Sequence, residues 1–147
     1  MSDSEDAGTE KPRAIVVGHG EFSAGLVSAV GQICGLADKL VVLSNGDPDM
    51  LETAKQYHKV PFDRVISVAE ANSFKPHVAT YTKAAELCGV APDQILFVAN
   101  HAFDCIGAKS AGMRTAFIDR RSRPFGETPH QPDILVPTMK DLADAIV

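Results

Sequence analysis

Six short runs of aliphatic and β-branched residues recur along this chain, and stretches with helical spacing separate them. The runs are Ala14–Val17, Leu40–Leu43, Arg64–Val68, Ile95–Val98, Thr115–Ile118 and Ile134–Val136. Between them lie Ser23–Cys34, Pro48–His58, Pro76–Cys88, Phe103–Ala111 and Met139–Ile146, where apolar residues return every three or four positions. Apolar runs without polar alternation suit strands buried on both faces, and strand–helix alternation implies a parallel sheet covered by helices. Pro48 and Pro76 fit the first turns of helices, where a missing N–H costs nothing. The pattern predicts one three-layer, Rossmann-like α/β domain over residues 13–147 with a mainly parallel sheet. Met1–Pro12 is polar and reads as a disordered tail, and Ser122–Pro132 is the one long irregular loop.

Composition narrows the function classes. A chain of 147 residues is long enough for one well-buried core, and a net charge of −5 gives no basic footprint for nucleic acid. No segment reads as a membrane span, and the tail lacks the apolar core of a signal peptide, so a cytoplasmic protein is expected. Cys34, Cys88 and Cys105 are odd in number, widely spaced and set among apolar residues. They read as reduced core thiols, without a metal or redox role.

In a doubly wound sheet, ligands sit beyond the carboxyl ends of the strands, and the polar clusters of this chain fall there. They are Gly18-His19-Gly20, Ser44-Asn45-Gly46-Asp47, Asn72-Ser73-Phe74-Lys75-Pro76 and Asn100-His101-Ala102-Phe103-Asp104. Singly, each has a plain reading: a turn with a helix cap, a solvated lysine, or a first-turn acid facing the helix dipole. Together, in order and on one rim, they describe a site. Elsewhere, His58, His77 and His130 read as solvated. Phe22, Phe97, Phe103 and Phe117 read as core or pocket wall. Arg120, Arg121 and Arg123 form a small basic run, a solvated face that an anionic ligand could use.

From Lys39 to the end the chain resembles the core domain of the haloacid dehalogenase superfamily, in its 2-haloacid dehalogenase branch. The residues that carry the resemblance are "KLVVLSNGDPDML", "VISVAEANSFKPHVATYTKA" and "ILFVANHAFDCIGAKSAGMRTAFIDR". The resemblance implies that Ser44, with Asn45, binds the substrate carboxylate or stabilises charge, and that Lys75 pairs with a nucleophilic aspartate. It implies that Tyr81 lines the site, and that Asp104 belongs to the fourth motif beside the lysine. His101 stands where many relatives carry asparagine, and Asn100 joins it as a substrate-binding candidate. No cofactor is implied. A metal-dependent variant would need two carboxylates on the first loop besides Asp104, and that loop has none.

Two departures qualify this reading. The family places its nucleophilic aspartate at the end of the first strand, where this chain has Gly18, and Glu21 is the one carboxylate nearby. Relatives also insert a helical cap after that strand, whereas the stretch from Gly18 to Lys39 has room for one helix and no cap. The opening "AIVVGHGEFSAGLVSAVGQICG", within residues 13–35, resembles instead a mannose-type IIA domain of the sugar phosphotransferase system. In that family the histidine matching His19 accepts a phosphoryl group. The two resemblances together describe a hybrid, either a recombined gene or an engineered chimera. The expectation is a catalytically inactive hydrolase core with a residual site for a small carboxylate or phosphate. The alternative is a phosphoryl-accepting domain using His19, with phosphotransferase proteins as partners only in that case.

Overall fold

A computed structural model describes residues 14–18, 40–44, 49, 52 and 64–146. The six apolar runs become six strands: β1 (Ala14–Gly18), β2 (Leu40–Ser44), β3 (Arg64–Ser67), β4 (Ile95–Ala99), β5 (Arg114–Ile118) and β6 (Ile134–Val136). They form one sheet in the order β3-β2-β1-β4-β5-β6, and every neighbouring pair is parallel. Strand β4 explains why such runs lack alternation, because all five of its residues are buried. Ile95, Phe97 and Ala99 join the main core cluster, while Leu96 and Val98 alternate with them and are equally buried. Both faces of the sheet are therefore covered, as the predicted three-layer architecture requires.

Three α-helices are described over their whole length: α1 (Val78–Cys88), α2 (Ala102–Ser110) and α3 (Met139–Ile146). Helix α1 buries Thr80, Tyr81, Ala84, Ala85 and Cys88, a stripe at helical spacing. It ends at Gly89, whose φ of 71° lets its N–H close back onto Ala85 and Glu86. The expectation that Pro76 opens this helix is corrected. The cap is His77, in extended backbone, whose Nδ1 accepts from the Ala79 N–H at 3.1 Å. His77 therefore does more than stand in solvent, because its ring nitrogen satisfies one of the helix's orphan donors.

Two one-turn 3-10 segments escaped the sequence reading, at Val68–Ala71 and Pro92–Gln94. Val68 belongs to the first of them and not to β3. A capping box there joins the Ser67 hydroxyl to the Ala69 N–H and the Glu70 carboxylate to the Ser67 N–H. Of the predicted Pro48–His58 helix, Asp49 and Glu52 are described, and both are helical and exposed. The tail at 1–12, the Ser23–Cys34 helix, the space for a cap, His58 and Cys34 all lie outside the described residues. Cys88 and Cys105 are buried and form no disulfide.

The last strand is held through Asp133. Its carboxylate accepts from the Thr115 N–H at 2.8 Å and pairs with Lys109 Nζ at 2.5 Å. Its own N–H donates to the Thr115 carbonyl at 3.0 Å. One residue thus joins β5, α2 and the approach to β6. Asp133→Ala is expected to cost about 1–2 kcal/mol in urea unfolding, mostly from the orphaned strand N–H, since the ion pair is partly solvated. Faster hydrogen exchange at the Thr115 amide would locate the damage.

Candidate functional site

The strand order sets where a site can form. The chain runs from β1 outward through β2 to β3, then returns to place β4 on the other side of β1. The carboxyl ends of β1, β2 and β4 thus meet at the switch point of the sheet. Gly18 ends β1 opposite Leu43 of β2, and Val17 pairs with Val98 of β4. Ser44 closes β2 beside Ser67 of β3 and is fully buried.

At this rim the loop after β3 and the first turn of α2 bring two opposite charges together. Lys75 Nζ donates to Asp104 Oδ2 at 2.8 Å, with side chains 2% and 4% exposed. Lys75 precedes Pro76 through a cis peptide bond. The Tyr81 hydroxyl donates to the other carboxylate oxygen, Oδ1, at 2.6 Å. Both oxygens of Asp104 are thereby engaged by charge-assisted or short hydrogen bonds.

The Phe97 ring on β4 supports this group. Tyr81 meets it edge-on at 5.3 Å, and the lysine ammonium stands 5.9 Å from its centroid. Burial, reinforced by the neighbouring Asp104 carboxylate, pushes the Tyr81 phenol far above its ordinary range. Tyr81 is therefore a permanent donor to Asp104 at any physiological pH.

The approach of α2 to Tyr81 depends on Gly107. A Cβ at that position would lie 2.5 Å from Tyr81 Cε2 and 2.7 Å from its hydroxyl oxygen. Sequence reading passed over this residue and over the supporting role of Phe97. The available signal was a glycine inside a helical pattern, which lowers helix propensity and marks a close approach.

The predicted site residues divide into groups. Lys75, Tyr81 and Asp104 form one buried cluster, while Ser44 sits at the end of β2 with β1 between it and β4. Asn100 and His101 line a different pocket of about 170 Å³, together with Phe117 and Arg120, Arg121 and Arg123. The ring of His101 lies 5.4 Å from that of Phe103, which is half exposed. His19, Asn45, Glu21 and Phe22 lie outside the described residues. Among the described residues, no group of three or more His, Cys, Asp or Glu side chains could hold a metal ion. No helix there is long and apolar enough to cross a membrane.

A wholly parallel sheet in this order, with a buried lysine–aspartate pair at its carboxyl rim, defines a Rossmann-like domain whose polar centre sits at the switch point. A model of the haloacid dehalogenase-like hydrolases matches residues 3–112, and the chain belongs to that family. It is 35% identical over 111 residues to haloacetate dehalogenase H-2 of Moraxella sp. (strain B), covering 74% of this chain and 48% of that one. It is 42% identical over 87 residues to (S)-2-haloacid dehalogenase of Xanthobacter autotrophicus, covering 58% of this chain and 34% of that one.

Solved structures agree. The L-2-haloacid dehalogenase of Xanthobacter autotrophicus with chloropropionic acid covalently bound superposes with a TM-score of 0.75 at 32% identity, covering 84% of this chain and 60% of that one. The L-2-haloacid dehalogenase RSc1362 gives a TM-score of 0.78 at 33% identity, covering 84% of this chain and 56% of that one. The chain spans about half the length, or less, of the curated relatives it matches.

Proposed function

We propose that this chain is a haloacid dehalogenase-type core that holds a small carboxylate or phosphate at its rim without completing the family's usual reaction. In that reaction a carboxylate oxygen attacks the carbon bearing halogen, and the halide leaves with the bonding electron pair. Water then cleaves the resulting ester at its carbonyl, which releases a 2-hydroxy acid and restores the carboxylate. A lysine beside the nucleophile keeps it ionised, and nearby donors hold the substrate acid in line.

The observation that carries the proposal is the position of Gly18. It is the last residue of the central strand β1 and has no side chain to attack with, while Lys75 is paired to Asp104 at 2.8 Å. Ser44, Asn45 and Lys75 remain as groups that favour an anion. Tyr81 acts through Asp104 as a positioning residue. The relative with chloropropionic acid covalently bound supports a short 2-haloacid as the first ligand to try. The thiols of Cys88 and Cys105 are buried and form no disulfide, which favours a reducing setting such as the cytoplasm.

Gly18→Asp tests this reading. The parent chain is expected to release no halide from 2-chloropropionate, while Gly18→Asp releases it and shows a transient ester adduct in intact-mass spectra. Halide release by the parent would sink the proposal and make Glu21 the first residue to replace.

A second reading is carried by the sequence alone, in which His19 follows Gly18 directly within a pattern like that of mannose-type IIA domains. On this reading the histidine accepts a phosphoryl group, and the hybrid origin explains its presence. Incubation with phosphoenolpyruvate and the general phosphotransferase proteins should then add a phosphoryl group that His19→Ala abolishes. An unmodified mass after that incubation removes this reading.

A further inference from the structure

The loop after β5 carries the basic run Arg120, Arg121 and Arg123, which the proposed chemistry does not use. It folds tightly: the Arg123 N–H donates to Asp119 Oδ1 at 3.0 Å, and Ser122 adopts a left-handed φ of 51°. Asp119 is itself fixed, because its N–H donates to the Val136 carbonyl of β6 at 2.8 Å. The three arginines consequently border one pocket with Asn100 and His101, whose floor includes Phe117. Phe117 is held in turn by an edge-on contact with Phe125 at 5.1 Å.

Three properties of the pocket bear on what it takes. Its size, about 170 Å³, lies below the roughly 300 Å³ at which pockets begin to suit drug-sized ligands, so it fits a group of few atoms. Its described lining carries three arginines against one carboxylate, that of Asp119, an excess of positive charge. Guanidinium forks match the oxygens of phosphate and carboxylate better than any other side chain. In addition, the Asn100 Oδ1 is buried and has no hydrogen-bond partner among the described residues. A buried amide oxygen left unpaired is costly; Asn100 lines the pocket and is partly exposed, so a rotation of its amide would bring this oxygen to a ligand's hydroxyl proton.

We propose that this pocket is a second anion site, distinct from the Lys75–Asp104 centre, and that it binds a small oxyanion carrying a hydroxyl, of which monohydrogen or dihydrogen phosphate is the simplest example. Neither Ser44, Lys75, Tyr81 nor Asp104 lines it. The site is independent of whether the chain turns over a haloacid. Arg121 and Arg123 are exposed, so replacing them leaves the core untouched.

The test is a titration of the full chain with inorganic phosphate, followed by NMR of the Asn100 side-chain amide and the arginine Nε–H groups. Saturable shifts at Asn100 and at the arginines are expected in the parent. Arg121→Gln with Arg123→Gln should weaken binding by about ten-fold or more, whereas replacing both by Lys should weaken it less. Thermal unfolding of the same samples checks that each variant is folded. The proposal is overturned by unsaturable shifts, by binding unchanged in the double Gln variant, or by shifts confined to Lys75 and its neighbours.

Discussion

Lys75→Met is expected to lower the free energy of unfolding by about 3–5 kcal/mol and the melting temperature by on the order of 10 °C. The reason is the burial of the pair. With both side chains almost wholly buried, removing the ammonium leaves the Asp104 carboxylate, among the described residues, with the Tyr81 hydroxyl as its remaining side-chain partner. Water cannot readily replace the lost partner, so the desolvation cost of the acid is no longer offset. Lys75→Met combined with Asp104→Leu should recover much of the loss, because it removes the stranded charge along with its partner. Urea unfolding of the three proteins measures this. A single variant within half a kcal/mol of the parent, on the scale of a surface pair, would mean the pair contributes nothing beyond solvated charge.

Gly107→Ala is the second large effect, and its sign is diagnostic. In an unconstrained helix the exchange stabilises by about 1 kcal/mol. Here the added methyl would fall 2.5 Å from the Tyr81 ring, so either α2 or the ring must move. Overpacking costs about 1–3 kcal/mol, and a disturbed Tyr81–Asp104 bond adds about 1.5–3 kcal/mol. The expected net is a destabilisation of several kcal/mol, largely relieved when Tyr81 is also replaced by Leu. A stabilised Gly107→Ala protein would contradict the packing described.

The same tyrosine predicts a pH dependence. Its phenol is held far above the ordinary value of 10.0, first by burial and then by Asp104. Below pH 10 both folded and unfolded chains keep the proton, and this group contributes no slope. Above it the unfolded chain gives the proton up while the folded chain retains it. Stability therefore falls as pH rises past 10. Tyr81→Phe should remove that part of the alkaline slope, as read from melting curves across the range.

The legible part of the fold was the part written in one-dimensional periodicity. All six strands coincide with apolar runs to within a residue, and α3 coincides with Met139–Ile146. A strand buried on both faces has no polar residue to blur its limits. Local hydrogen bonding was harder to see. His77 as a cap and the turn at Val68–Ala71 depend on side chains closing onto neighbouring amides, which apolar periodicity does not encode.

The candidate site divides in the same way. The resemblance put Asp104 near Lys75 but paired the lysine with a nucleophilic aspartate, whereas here Lys75 donates to Asp104 itself. That Asn100 and His101 border the arginine pocket could not be read from it, because it depends on how the loop after β5 folds against the start of α2. The clearance at Gly107 is a property of two packed elements, and no single stretch of sequence contains it.

The central place of β1 also orders events during synthesis. Its partner β2 follows soon after it, yet its other edge pairs with Ile95–Ala99, far later in the chain. A nascent chain can assemble β3-β2-β1 early, and must then carry β1 as an exposed edge until β4 leaves the ribosome. An unpaired apolar edge is a template for adhesion to other chains. The window between the emergence of β3 and β4 is therefore the interval in which adhesion to other chains is expected to be greatest.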